Sequence, residues 1–155
     1  MLRVIGHADR ILSEAVPGDP DEVRDFCIDL SLIPEICPGG SIRLVSRRES
    51  ARDDAETYRV QDGLALGWLT VPLFYTVRLR VPVAGALSAE LHPVPTIRVD
   101  SVIAFEPWET GCRLREYLRI SAPRPLLGIA VDRTVSTHTE LLAGVRRHFE
   151  HRPSA

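Results

Sequence analysis

Apolar and polar positions along this chain follow two different periods, a helical one at the C-terminal end and an alternating one before it. Between residues 126 and 149, apolar side chains recur mostly at intervals of four or seven positions, at Leu127, Val131, Val135, Leu142, Val145 and Phe149. This spacing keeps one apolar stripe on the same side of an α-helix of about six turns. The sequence therefore predicts a long amphipathic helix with one buried face.

Alternation with a period of two precedes this helix and indicates strands. It is clearest where Cys112, Leu114, Glu116, Leu118 and Ile120 share one face and mostly arginines share the other. Further strands are predicted over 10–16, 42–48, 56–61, 75–81 and 96–105, while 63–74 is strand-like between less certain boundaries. Strands with one dry and one wet face are typical of an antiparallel sheet, and short hairpins exclude a parallel, Rossmann-type sheet.

The segment between the first and second strands has the signals of short helices. Asp19 can cap a helix, Pro20 suits its first position, and Glu22 carries a favourable charge for the N-terminal end. A second short helix is predicted around residues 35–37, before Pro38. The apolar, proline-broken stretch 84–95 is long for a hairpin loop and is interpreted as a possible lid.

Together these elements predict an α+β fold. A curved antiparallel sheet of six or seven strands would surround the long C-terminal helix, with two short helices after the first strand. At 155 residues the chain is expected to form one domain over 9–150, with tails at 1–8 and 151–155. A helix lying across a curved sheet often leaves a cavity between them, which is a common place for a ligand.

Composition excludes several classes of function. The net charge is −2 and all 19 basic residues are scattered arginines, so neither a nucleic-acid partner nor an anionic membrane is indicated. Three cysteines without a C-x-x-C spacing indicate neither a disulfide framework nor a zinc site, and no cofactor or metal is expected. No apolar run is long enough for a signal peptide or a membrane span, so we expect a cytoplasmic protein. The oligomeric state has no signature in the sequence.

Two ionisable residues interrupt the faces predicted to be buried. His138 interrupts the helical stripe and is a candidate general acid or base, although a core histidine bonded to a neighbour would look the same. Glu116 lies on the dry face of the last strand, where a carboxylate needs a partner or a proton. Burial would make it a candidate proton donor to a ligand carbonyl, unless it pairs with an arginine or the strand register differs by one residue.

Chain geometry predicts that these two residues reach a similar depth. The chain reverses near Pro123, so the helix returns along the last strand. Glu116 lies roughly 23 Å from the reversal at 3.3 Å per strand residue, and His138 about 18 Å from Leu126 at 1.5 Å per helical residue. Both side chains are therefore candidate catalytic residues in the middle of one cavity.

The walls of such a cavity would come from aromatic and aliphatic side chains of the sheet and helix. Rigid rings line ligand pockets, and a tyrosine hydroxyl can orient a ligand, although ordinary core packing would use the same residues. The candidate ligand-binding residues are Tyr58, Trp68, Phe74, Tyr75, Val77, Leu114, Leu118, Val131, Val135 and Leu142.

Over residues 9–150 the chain resembles the START and polyketide cyclase/dehydrase superfamily, the helix-grip fold that also includes the birch-pollen allergen type. The resemblance lies in the order of elements and in four segments: Asp19-Pro20-Asp21-Glu22-Val23, Ile33-Pro34-Glu35-Ile36-Cys37-Pro38, Arg98-Val99-Asp100-Ser101-Val102 and Gly111-Cys112-Arg113-Leu114. It implies a pocket for a hydrophobic small molecule such as a polyketide, an isoprenoid or a lipid. In some members it implies cyclisation or dehydration of a polyketide, so a binding protein, a cyclase or dehydratase, and a non-catalytic regulatory domain all remain open.

Overall fold

Seven antiparallel strands and two helices make up the part of the chain that the structure describes. The computed structural model describes residues 4–28, 43–49, 55–66, 69–80, 85–94, 96–109 and 111–151, with side chains at 4–28, 77–80, 85–92, 96–109 and 111–151. In chain order the elements are β1 (Ile5–Val16), α1 (Pro20–Ile28), β2 (Arg43–Glu49), β3 (Ala55–Leu66), β4 (Leu69–Arg80), β5 (Leu87–Val94), β6 (Ile97–Trp108), β7 (Gly111–Pro123) and α2 (Arg124–Glu150). The strands form one sheet in the order β1-β7-β6-β5-β4-β3-β2.

The first and last strands are neighbours in the sheet. β1 pairs with β7 over its whole length, from Ile5 opposite Pro123 to Val16 opposite Cys112. The other strands pair with their neighbours in sequence, as in a meander. The strand alternation predicted from the sequence is confirmed in β7, where every second residue from Cys112 to Ala122 is buried.

Helix α2 packs against β1 and β7 through the predicted apolar stripe. Near its C-terminal end, Leu142, Val145 and Phe149 join a buried cluster with Val16, Val23, Cys112 and Leu114. Nearer its N-terminal end, Ala130 and Val131 join a second cluster with Val99, Leu118, Ile120 and Ala122. Burial of these side chains provides the main favourable contribution to docking of the helix on the sheet.

Local interactions fix both helices where the sequence predicts them. The Asp19 carboxylate accepts a hydrogen bond of 3.1 Å from the backbone N–H of Asp21, and so caps α1. At the end of α2, the backbone N–H of His151 donates to the carbonyl of Arg147. Arg147 and His148 place basic side chains in the last turn, where the helix dipole favours them.

Three sequence-based expectations need comment. The lid predicted over 84–95 is wrong for most of its length, because Leu87–Val94 is strand β5, paired with β4 and β6. β1 begins at Ile5 and so extends into the expected N-terminal tail. The second short helix predicted around residues 35–37 lies outside the described residues.

Candidate functional site

The candidate site begins with a carboxylate on the inner face of the last strand. Glu116 is at one of the alternating buried positions of β7 and is 2% exposed. Leu114 and Leu118 flank it on the same face and are also buried. The strand register predicted from the sequence is therefore confirmed, and Glu116 lies beneath α2 rather than on the outer face.

His138 reaches this carboxylate from the helix. Its Nδ1 lies 3.0 Å from Oε1 and 2.9 Å from Oε2 of Glu116. The side chains are 12% exposed for His138 and 3% for Glu116. The proximity predicted from the two chain depths is confirmed, whereas a catalytic role for either residue stays a prediction.

A third residue, Ser101 of β6, completes the group. Its hydroxyl donates a hydrogen bond to Oε2 of Glu116. Glu116 is directly opposite Ile103 on β6, so Ser101 approaches from the diagonal position two residues away. Ser101 is not among the residues that the sequence analysis singled out, but its polar side chain does interrupt the inward face shared by Val99 and Ile103.

The electrostatics of the group favour a charged pair. Burial alone would lower the pKa of His138, but the negative charge of Glu116 and the hydrogen bond to it outweigh burial. The pKa of His138 therefore lies above its ordinary value. An imidazolium whose Nδ1–H donates to a carboxylate is the protonation state that this arrangement stabilises.

The nearest thiols do not add a nucleophile to this group. Burial, with contributions from Cys112 and Glu116, raises the pKa of Cys27 to about 12. Burial also raises the pKa of Cys112, to about 11. Both thiols are therefore protonated at neutral pH, and a protonated thiol is a poor nucleophile.

The polar group separates the two apolar clusters under α2. Along β7, Glu116 lies between Leu114 of the first cluster and Leu118 of the second. Along α2, His138 lies between Val135, which packs on the second cluster, and Leu142 of the first. A pair of ionisable side chains thus occupies the middle of an otherwise apolar interface between sheet and helix.

The predicted ligand-binding residues fall into two sets. Those with described side chains lie on the inner side: Val77, Leu114, Leu118, Val131 and Leu142 are buried, and Val135 is partly buried. Tyr58 belongs to β3, and Phe74 and Tyr75 to β4, but their side chains lie outside the described part of the structure, as does the whole of Trp68. The role of all these residues in binding stays a prediction.

Other features of the described residues carry less chemistry. No three metal-binding side chains come together among them, and none of their helices is long and apolar enough to cross a membrane. An open groove of about 340 Å³ lies apart from Glu116, lined by Ala15, Val16, Pro17, Trp108, Arg146 and Glu150. Its arginine is already paired with Glu14 and Glu150.

Comparison with solved structures places this arrangement in a known fold. Ara h 8.0201 superimposes with a TM-score of 0.72 at 10% sequence identity, covering 95% of this chain and 100% of that one. Truncated norcoclaurine synthase from Thalictrum flavum gives a TM-score of 0.68 at 9% identity, covering 97% and 96%. The di-domain ARO/CYC StfQ from the steffimycin biosynthetic pathway gives 0.74 at 14% identity.

These similarities confirm the helix-grip fold that the sequence predicted. The chain spans about half of the di-domain protein, covering 94% of this chain and 51% of that one. No protein-family model matches the sequence, and no curated protein matches it. At identities of 9–14% the likeness extends to the fold and not to a particular ligand or reaction.

Proposed function

We propose that this protein binds a hydrophobic small molecule between its sheet and the C-terminal helix. The observation that supports the proposal most directly is the buried Ser101–Glu116–His138 group. A buried ion pair is a poor source of stability, because desolvation of both charges offsets most of their attraction. Its position in the middle of an apolar interface is better explained by recognition of a bound molecule.

The region available for a ligand follows from where the helix packs. α2 lies on β1 and β7, at one edge of the sheet, and the next strand is β6, which contains Ser101. Beyond it, Leu91, Val77 and Leu79 contribute apolar side chains to the buried side of β5 and β4. A polyketide, an isoprenoid or a lipid placed there would contact apolar walls on the sheet and His138 on its helix side.

Binding of an apolar fluorescent dye tests this proposal. Val135 is partly buried on the inner face of α2, so Val135→Trp should fill the ligand space and weaken dye binding at least tenfold. Overpacking should lower stability by about 1–3 kcal/mol without unfolding the protein. Ile129 is 67% exposed on the same helix, so Ile129→Trp is the matched control and should bind dye as the wild type does. Unchanged affinity in a folded Val135→Trp protein would mean that the ligand does not lie under this helix.

A second candidate function is proton-transfer catalysis of the cyclase or dehydratase type. It is favoured by the contact between Nδ1 of His138 and the Glu116 carboxylate, because a carboxylate in this position fixes the orientation and tautomer of a catalytic imidazole. Glu116 accepts hydrogen bonds from both Ser101 and His138. In this mechanism His138 would therefore exchange the proton with substrate, and Glu116 would orient it and stabilise its charge.

Dehydration of a β-hydroxy ketone with a naphthyl body tests this candidate, because loss of water forms a conjugated enone that is followed by absorbance. His138→Ala should abolish turnover and Glu116→Gln should reduce it at least a hundredfold, and in both variants kcat should fall by far more than substrate affinity. Turnover in His138→Ala equal to that of the wild type, or none in the wild type, would contradict a dehydratase.

A further inference from the structure

The Nε2 edge of the His138 ring indicates what kind of polar group a ligand would carry. Nδ1 is engaged by Glu116, and the two nitrogens of an imidazole lie on different edges of the ring. Nε2 has no hydrogen-bond partner among the described residues. Both carboxylate oxygens of Glu116 already accept hydrogen bonds, from Ser101 and His138. Of the two ionisable residues, His138 is therefore the one with a free polar atom.

The charge of the pair determines whether that atom donates or accepts. With Glu116 ionised and His138 protonated, the pair is neutral overall and Nε2 carries a hydrogen. A protonated ligand amine has no lone pair that could accept a hydrogen bond from Nε2–H. Its positive charge would also be repelled by the imidazolium. A pure hydrocarbon would cover the N–H without satisfying it, which is unfavourable for a buried donor. An acceptor oxygen satisfies the N–H at no additional charge.

We propose that the natural ligand carries a carbonyl oxygen on an apolar body, and that this oxygen accepts a hydrogen bond from Nε2 of His138. The inference rests on the proposed binding function and narrows it from hydrophobic molecules in general to ketones or related carbonyl compounds. Ser101 and Glu116 are positioning residues in this arrangement: Glu116 orients His138, Ser101 orients Glu116, and neither contacts the ligand. No covalent bond forms or breaks in the complex.

A pair of matched probes tests the inference. Acetylnaphthalene and isopropenylnaphthalene, substituted at the same ring position, differ by a C=O in place of a C=CH₂ group of nearly the same shape. We expect the wild type to bind the ketone at least about tenfold more tightly at neutral pH. The ketone oxygen accepts a hydrogen bond from the charged Nε2–H, whereas the hydrocarbon displaces water from this donor without replacing its hydrogen bond. Dissociation constants from isothermal titration calorimetry provide the measurement.

Variants of the pair assign any preference to Nε2. His138→Phe should bind both probes with equal affinity, near that of the wild type for the hydrocarbon. Glu116→Gln keeps the shape of the side chain but removes the charge that keeps His138 protonated, so the ketone preference should fall severalfold. This second variant tests the inference independently if His138→Phe does not fold. His148, stacked on Phe26 with ring centroids 4.1 Å apart near the end of the same helix, provides the control. His148→Phe should retain the full preference.

The outcomes separate this inference from the binding proposal. Equal affinity of the wild type for both probes would overturn the carbonyl assignment and leave hydrophobic binding in place. A preference that persists in His138→Phe would also overturn it. If the wild type binds neither probe and no apolar dye, the proposed function itself fails, and the inference fails with it.

Discussion

The carboxylate of Glu116 is stable in an apolar interface because two donors and one positive charge compensate its burial. Ser101 donates from the neighbouring strand, and His138 donates from the helix above. Removing only one partner would leave a buried charge uncompensated, which costs several kcal/mol, whereas the intact group is close to neutral in its effect on stability. The group is therefore more sensitive to single substitutions than its small contribution to stability suggests.

Stability should depend on pH through His138. Because the pKa of His138 is raised in the folded protein, the native state binds more protons than the unfolded state. The stabilisation is complete below the unfolded pKa, about 6.5, and is lost as pH rises through the folded pKa. We expect the free energy of unfolding to fall as pH rises above about 6.5, by at most about 1.4 kcal/mol per pH unit. Urea denaturation at several pH values measures this slope.

Glu116→Gln is the control for that measurement, and it should not lose stability as pH rises. Without the carboxylate, burial alone acts on His138 and lowers its pKa, so the variant should gain stability as pH rises toward the unfolded pKa of about 6.5 and should change little above it. The two proteins differ only at residue 116, so the difference between their pH profiles reports the effect of the Glu116 charge. Parallel pH profiles would show that Glu116 does not control the protonation of His138.

At the scale of elements, the β6–β7 hairpin depends on a close approach of backbone at Gly111. Gly111 pairs with Trp108 at the end of the hairpin. A Cβ atom at Gly111 would lie 2.3 Å from the carbonyl oxygen of Val16 and 2.8 Å from the backbone nitrogen of Gly18. Because both are backbone atoms at the turn between β1 and α1, neither can move without disturbing an element. The glycine is required by space and not by an unusual backbone conformation.

Gly111→Ala should therefore lower the free energy of unfolding by about 1–3 kcal/mol, since a buried methyl group would force backbone apart. Gly128, an exposed glycine inside α2 with no atom within 4 Å of an added Cβ, provides the matched control. Gly128→Ala should stabilise by about 0.5–1 kcal/mol, because alanine is the better helix former. Thermal and urea denaturation of the two variants give the comparison, and equal stability of both would contradict the close approach.

An element is predicted well when its own sequence shows which of its faces is buried, and poorly when its structure depends on a partner strand. β7 and α2 were predicted closely because each has one strictly buried face with a regular period. β5 was interpreted as part of a lid because prolines argue against a strand, yet Pro93 falls where the register shifts between Leu91 and Val94. An irregularity of pairing accommodates a proline, and it becomes visible only when the partner strand is known.

The candidate site was predictable only in part, for the same reason. Glu116 and His138 each break a periodic apolar pattern, and strand and helix rises were enough to place them at a similar depth. The partner of Glu116 depends on which strand lies beside β7 and in which register, so Ser101 could not be chosen over an arginine from sequence alone. The direction of each hydrogen bond likewise requires the three-dimensional arrangement.

At the scale of the whole molecule, the two clusters under α2 anchor the helix at one edge of the sheet. The clusters contain residues of β1, α1 and β7, so they connect parts of the chain that are far apart in sequence. The polar group between them brings together side chains from α2, β7 and β6. The described residues therefore divide into an anchored edge, which carries stability, and an inner side of β4–β6, which the proposed ligand would occupy.

The pairing of β1 with β7 also determines when the protein can fold during synthesis. β1 is an edge strand whose partner in the sheet is β7, and Ile5 lies opposite Pro123. A ribosome adding roughly 5–20 residues per second takes many seconds to make the intervening chain, and β1 has no strand partner during that time. The meander from β2 to β6 can assemble earlier, because its contacts are between neighbours in sequence. Closure of the sheet and docking of α2 must therefore come last, so the candidate site forms only when the final helix has emerged.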